Sequence, residues 1–306
     1  MSPDARTPAT DWFVSGTTAI GASHVSRGLP CQDAFKYVAP SEGGVTVVGA
    51  LGDGHGARRH FRSAAGSVMA VEVATAAALR HVDQLAAMTD PAQVLRAAQS
   101  ELAAEVVRDW RLAVAGDVER NPFSSEESLG MARAFDDAEI AYGSTLLMAL
   151  VAGRWLVCLQ IGDGDVMLLA PDGRASLPVP GDPSLDGLRT TSLCQHDALA
   201  SFRGAVEDLE SHPVLAVLLV SDGYSNAQSA EPWYPPVGSD LARLLDREGP
   251  EWVAAQLPEW AKLCASSEGS GDDTTIVLIV NRALSNSAGP AKSHLKSQAP
   301  TVTGDL

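Results

Sequence analysis

Three apolar runs in this chain each stop at a glycine-flanked aspartate, and a fourth begins just after another aspartate pair. Val45 to Leu51 leads into Gly52-Asp53-Gly54-His55-Gly56. Trp155 to Ile161 leads into Gly162-Asp163-Gly164-Asp165, and Val214 to Val220 into Ser221-Asp222-Gly223. In the fourth case Gly271-Asp272-Asp273 precedes the run Thr275 to Val280. The runs are short, rich in Val, Ile and Leu, and bounded by Gly or Asp, which favours buried strands over helices. If the last strand runs antiparallel to the one before Asp222, its start and the other's end share one sheet edge.

Two long segments read as helices. Arg58 to Val82 is rich in alanine. Pro91 to Val114 sets Val94, Leu95, Ala98, Leu102, Val106 and Trp110 at helical spacing behind Asp90, an N-cap followed by proline at the first helical position. A third helix over about 250 to 266 contains Pro258, and a kink or break is expected there. The order of elements lacks a βαβ alternation, which argues for antiparallel sheets with helices packed outside. Residues 115–140 and 171–192 read as surface connections. Residues 1–12 and 284–306 are rich in small residues and proline and read as loose tails, with one domain over 13–283 between them.

Carboxylates crowded at one sheet edge repel each other and raise one another's pKa unless cations neutralise them. All-oxygen ligands select hard ions such as Mg²⁺ or Mn²⁺ rather than zinc, and glycine beside each aspartate lets the backbone approach an ion closely. A single such motif is ordinarily a turn in which the aspartate caps backbone amides. The repetition at strand ends is what favours the metal reading. His55, two residues beyond Asp53, lies within reach of anything bound there, whereas His212 has no such neighbour.

Other classes fit poorly. A formal net charge of −16, with no basic stripe, disfavours nucleic-acid binding. The four cysteines form no CxxC pair, so neither a zinc knuckle nor a redox motif is supported, and reduced thiols in a cytoplasm are expected. No basic patch leads into an apolar run at the N-terminus and no window approaches a membrane span, so neither secretion nor membrane insertion is expected. Asp163-Gly164-Asp165 sits mid-chain and continues into Val166-Met167, unlike a haloacid-dehalogenase nucleophile. An EF-hand loop fails at Met167 and Arg174, and Gly143-Ser144-Thr145 is no nucleophile elbow.

In order and spacing, GASHVSRGLPCQDAF at 21–35, GDGHG at 52–56, YGSTLL at 142–147, IGDGDV at 161–166, SDGYS at 221–225 and GDDTTIVLI at 271–279 resemble the metal-dependent PPM, or type 2C, family of protein phosphatases, in particular its compact bacterial branch. Arg189-Thr190-Thr191-Ser192-Leu193 resembles the stretch that follows the substrate-side flap in that branch. The resemblance spans roughly residues 13–282. It implies an α+β fold, an αββα sandwich of two central antiparallel sheets flanked by helix pairs. It implies a serine/threonine phosphoprotein phosphatase with two divalent cations, Mn²⁺ or Mg²⁺, whose shared hydroxide attacks phosphorus in line.

Residue by residue, Asp53 matches the aspartate that bridges both metals and Gly54 the glycine whose carbonyl binds the first. Asp222 and Asp272 match ligands of the second. His55 matches the position that protonates the leaving oxygen, and Asp33 an acidic position bonded to metal-bound water. Asp163 matches either a structural aspartate or a holder of a third ion.

Three features depart from the pattern. Gly28 stands where many members carry a phosphate-gripping arginine, which makes Arg27 and His24 the candidate substitutes; the turn Gly162-Asp163-Gly164-Asp165 lacks the arginine that usually follows GDS; and Asp273 stands where Asn is common and rivals Asp272 as ligand. The expected partners are phosphoserine and phosphothreonine proteins and an opposing Ser/Thr kinase. The alternative, motivated by Gly28, is a catalytically weak or inactive module that binds phosphoproteins.

Overall fold

The apolar strands are apolar along their whole length because both of their faces are covered. In the computed structural model, which describes residues 11–41, 44–127, 137–182 and 190–285, the strands in chain order are β1 (Trp12–Ala19), β2 (Asp33–Val38), β3 (Val47–Asp53), β4 (Leu146–Ala152) and β5 (Trp155–Ile161). They continue with β6 (Asp165–Leu169), β7 (Ala175–Ser176), β8 (Arg203–Asp208), β9 (Ala216–Val220) and β10 (Thr274–Asn281). Two five-stranded sheets result, ordered β1-β10-β9-β6-β7 and β2-β3-β4-β5-β8. Every neighbouring pair is antiparallel.

The two-residue side-chain period sorts each strand between two cores. On β4, Leu147, Ala149 and Val151 meet Val217, Leu219, Val277 and Ile279 of the other sheet, while Leu146, Met148 and Leu150 face outward into a helix-covered cluster. On the opposite sheet, Leu218, Ile276 and Leu278 join a second outer cluster.

The helices supply the outer layers. They are α1 (Ala22–Arg27), α2 (Ser63–Ala86), α3 (Pro91–Ala97), α4 (Ala103–Arg120), α5 (Asp222–Ser225), α6 (Tyr234–Glu248) and α7 (Pro250–Ala265). A π-helical segment, Ala98–Leu102, joins α3 to α4. Ala70, Ala74, Ala77 and Ala78 of α2, with Leu102, Val106 and Trp110, pack on the second sheet. Leu241, Leu244 and Leu245 of α6 pack with Val253, Leu257 and Trp260 of α7 on the first. The expected αββα sandwich is the observed one.

Several sequence expectations are corrected. Alpha-helix 7 runs unbroken through Pro258; its apolar side, from Val253 to Ala261, is buried against the sheet, and that packing outweighs the one hydrogen bond proline removes. Helix α2 starts at Ser63, five residues later than the expected Arg58, so Arg59 and His60 belong to a turn that enters the cleft described below. Helix α4 continues to Arg120, into the span expected to be a connection. Trp12, in the expected N-terminal tail, is buried in β1 opposite Asn281. Helix α6 has no counterpart among the expected elements, because Tyr234-Pro235-Pro236 reads as a loop although proline is well tolerated in a first helical turn. Most of both tails and Arg189 lie outside the described residues.

Candidate active site

Antiparallel pairing of β9 with β10, Ile276 opposite Val220, brings the end of one and the start of the other to one edge. Asp222 follows β9, and Asp272 and Asp273 precede β10. The second sheet delivers Asp53 at the end of β3, directly opposite Asp33 of β2. The turn Gly162-Asp163-Gly164 crosses from β5 in one sheet to β6 in the other and carries Asp163 to the same place. Asp53, Asp163, Asp222, Asp272 and Asp273 line one open cleft of about 700 Å³ together with Gly54, His55, His24, Arg27, Arg59 and His60. Asp33 lies behind it, 7% exposed, with neither carboxylate oxygen in a well-formed hydrogen bond.

The backbone around Asp53 is tightly held. The Thr145 amide donates to the Asp53 carbonyl at 2.8 Å, and the His55 amide donates to Gly143 at 3.1 Å. This bridge between Gly54 and Ser144 leaves the Gly54 carbonyl outside the ladder. Only glycine fits at 54, where a Cβ would stand 2.6 Å from the Gln32 carbonyl oxygen and 2.8 Å from that of Ser63. Gly223 is constrained in the same way, with a Cβ landing 2.1 Å from the Asp273 carbonyl oxygen.

Electrostatics mark the cleft as short of positive charge. Burial first, then the charges of Asp33, Asp222, Asp163 and Asp272, hold the Asp53 carboxyl well above its ordinary range. Burial pushes Asp222 up to about 6, with Asp163 and Asp272 adding to it. Burial pushes Asp33 up to about 7; the nearby Thr275 and Ser221 hydroxyls oppose this, and Asp273 and Asp222 reinforce it. Asp163 is raised chiefly by burial. Cations at the cleft would relieve this repulsion, and the unpartnered Asp33 oxygens suit a role accepting from water. No three His, Cys, Asp or Glu side chains among the described residues form a ready-made ion cage. Carboxylate and carbonyl oxygens are donors that suit hydrated hard ions, which keep several waters and use few carboxylates.

The neighbouring aspartates 272 and 273 are unlike each other. Asp273 is 3% exposed and accepts from the Gly21 amide at 2.7 Å and the Gln32 amide at 2.6 Å. Asp272 is 55% exposed at its side chain and accepts from the Asp273 amide at 2.9 Å. His24 sits between them, Nδ1 2.9 Å from Asp273 Oδ2 and Nε2 3.7 Å from Asp272 Oδ1.

The glycine at position 28 has a local explanation. Gly28 is the C-cap of α1 with φ of 65°, a left-handed conformation that glycine adopts without penalty. Arg27 lines the cleft, but its guanidinium turns back on Ser23, with Nε 3.0 Å from the carbonyl oxygen. Arg59, unforeseen from sequence, lines the cleft from the turn before α2, and its Nε donates to His60 Nε2 at 2.8 Å. That bond leaves the His60 Nδ1 proton for the Ile140 carbonyl. The His55 ring packs edge-on against His60 at 4.8 Å, and burial, with the His60 and Arg59 charges, lowers its pKa to about 3. Beneath the Asp163 turn, Arg203 donates to the Gly162 carbonyl and Thr191 Oγ1 accepts from the Gly162 amide at 2.9 Å. Sequence does not pair either support with the Asp163 turn, since Thr191 and Arg203 come from distant segments.

An αββα sandwich whose two sheets bring carboxylates to one cleft is the architecture the motifs imply for metal-dependent protein phosphatases. The chain belongs to the protein phosphatase 2C family, whose model matches residues 20–262. No curated protein matches the sequence.

Among solved structures, the fold is similar to serine/threonine phosphatase Stp1 from Staphylococcus aureus, with TM-score 0.56 and 16% identity over 92% of this chain and 99% of that one. It is similar to the catalytic domain of the serine threonine protein phosphatase PstP in complex with 2 manganese ions, with TM-score 0.53 and 22% identity over 88% and 97%. It is also similar to PppA, a regulatory component of T6SS in Pseudomonas aeruginosa, with TM-score 0.54 and 16% identity over 89% and 98%. At these identities the likeness is one of fold. No helix among the described residues is long and apolar enough to cross a membrane.

Proposed function

We propose that this chain hydrolyses phosphoserine and phosphothreonine esters in proteins, using two divalent cations, Mn²⁺ or Mg²⁺, in the acidic cleft. The observation that carries the reading is the convergence of Asp53, Asp163, Asp222 and Asp272 on one cleft from both sheets, with three of them held above the ordinary carboxylate range. Asp53, Asp222, Asp272 and the Gly54 carbonyl would hold the ions, and Asp163 a third. The cations supply the positive charge that acidifies water and stabilises the transferring phosphoryl oxygens.

The remaining roles belong to side chains. Asp33, behind Asp53, orients water through its unpartnered oxygens. Asp273 fixes the loop that presents Asp272 by holding two backbone amides. Arg59, with one edge of its guanidinium fixed by His60, grips the substrate phosphate, while Arg27 contributes less. His55 lines the cleft two residues beyond Asp53, where it would deliver a proton to the leaving oxygen; burial lowers its pKa in the free cleft. The four free cysteines fit a cytoplasmic setting, where an opposing Ser/Thr kinase would supply substrate.

Gly28 supports a second reading, an inactive module that retains phosphoproteins without cleaving them. Phosphate release from a phosphothreonine peptide in Mn²⁺, beside retention of the same peptide, separates the two. Release above an Asp53→Asn control is expected; retention with no release above that control would establish the binding module instead.

A further inference from the structure

We infer that His24 is a direct ligand, through Nε2, of the divalent ion held at Asp272, so that the centre is a mixed nitrogen and oxygen site. The inference rests on the metal-dependent reading above and assigns His24 a different role from phosphate contact. His24 is 3% exposed, yet it lines the cleft, and a Cβ on Gly56 would stand 3.9 Å from its Nε2. Nδ1 is buried, 2.9 Å from Asp273 Oδ2 and without a well-aligned hydrogen bond to it. The Asp273 carboxylate faces Nδ1, so Nε2 is the ring nitrogen that faces the cleft and the one in position to meet a cation. A carboxylate behind an imidazole whose other nitrogen meets a cation is a recurring support for metal-binding histidines.

The separation suits a shared ion. Cis ligands on an octahedral ion with bonds of about 2.1 Å stand about 3.0 Å apart, and trans ligands about 4.2 Å. His24 Nε2 and Asp272 Oδ1 are 3.7 Å apart. The exposed Asp272 side chain has room for the remaining adjustment, because among the described residues the Asp273 amide makes the one hydrogen bond that its Oδ1 accepts. His24 itself is fixed: the Gly21 amide donates to Asp273 and the Ser23 amide to the Gly271 carbonyl at 2.9 Å, which press α1 onto the 271–273 loop. An imidazole donor favours Mn²⁺ over Mg²⁺, which prefers oxygen.

The test is His24→Asn in the full chain. The asparagine amide retains a donor toward Asp273 but cannot reach the position of Nε2. Pulsed electron paramagnetic resonance of bound Mn²⁺ should show ¹⁴N coupling from a directly bound imidazole in the wild type and lose it in the variant. Calorimetric titration should show Mn²⁺ affinity falling about 10- to 100-fold and Mg²⁺ affinity by less than about threefold. A wild-type spectrum without direct ¹⁴N coupling, or equal changes for both ions, overturns the assignment. If His24→Asn fails to fold, the wild-type spectrum decides alone. Mn²⁺ binding that Asp272→Asn weakens, without ¹⁴N coupling, defeats the His24 assignment and leaves the phosphatase reading standing. A wild type that binds no Mn²⁺ defeats both.

Discussion

Asp272 and Asp273 are adjacent and chemically identical, yet substituting each by asparagine should have opposite consequences. The Asp273 carboxylate is buried and accepts two backbone amides, one on each oxygen. Asparagine keeps one acceptor and turns an NH₂ group against the second amide. One buried donor is then orphaned, at about 1–3 kcal/mol, and the other loses a charged acceptor worth about 1 kcal/mol over a neutral one. Relief of repulsion with Asp33, whose pKa Asp273 helps to raise, opposes part of this. A net loss of about 2–3 kcal/mol is expected, which lowers Tm by roughly 4–12 °C in a domain of this size.

Asp272→Asn removes an exposed carboxylate whose contact is with the next residue's amide, and the amide oxygen of asparagine preserves that contact. Its Tm in EDTA should lie within about 2 °C of wild type, while its Mn²⁺ binding should weaken strongly. Thermal melts in EDTA, paired with Mn²⁺ titrations, read both effects. A thermally silent Asp273→Asn, or an Asp272→Asn that binds Mn²⁺ as wild type does, would refute the division of labour between the two.

The buried carboxylates make a pH prediction for the metal-free protein. Asp33 and Asp222, with folded pKa values pushed to about 7 and about 6, lose stability as pH rises from their unfolded values through the folded ones. His55 and His60, whose pKa values are lowered, lose stability as pH falls through the ordinary histidine value. Above about pH 7, where the histidines are largely neutral in both states, Asp33 and the more strongly raised Asp53 set the slope, so Tm in EDTA should fall between about pH 7 and 8.5 and Mn²⁺ should reverse the fall; a flat or rising Tm in EDTA over that range is the result that counts against burial of these carboxylates. Arg59→Ala should lower kcat/KM on a phosphothreonine peptide about 10- to 100-fold, as expected for a charge-assisted contact, and Arg27→Ala by less than about threefold. Equal losses would show that Arg59 is not the dominant phosphate contact. Gly54→Ala, with its Cβ driven against the Gln32 and Ser63 carbonyls, should lower Tm by more than about 5 °C; a wild-type melt would mean that the backbone there gives way easily.

Strands β3, β5, β9 and β10 are legible because burial on both faces leaves an unbroken apolar run, with a Gly-Asp or Asp-Gly step at the end that meets the cleft. The edge shared by Asp222 and Asp272 followed from one assumption, antiparallel pairing, which the β9–β10 register meets. Strand β2 was not legible, since Asp33-Ala34-Phe35-Lys36-Tyr37-Val38 carries a charge at its centre and has no apolar run. Local sequence also could not separate Asp272 from Asp273. Their difference lies in the amides of Gly21 and Gln32, which reach Asp273 from 252 and 241 residues away. Arg59 was hidden for a related reason: alanine-rich helical spacing ran back through it, whereas tertiary packing delays the helix to Ser63 and sends the preceding turn into the cleft.

The most direct test counts ions and catalysis together. Mn²⁺ stoichiometry and phosphate release should be measured on wild type, Asp53→Asn, Asp222→Asn and Asp272→Asn, each stripped with EDTA and reloaded. At least two ions per wild-type chain are expected, with fewer or weaker ions in every variant and phosphate release that falls with them, most completely at Asp53. Phosphate release that survives EDTA, or that persists at wild-type rate in Asp53→Asn, would contradict it.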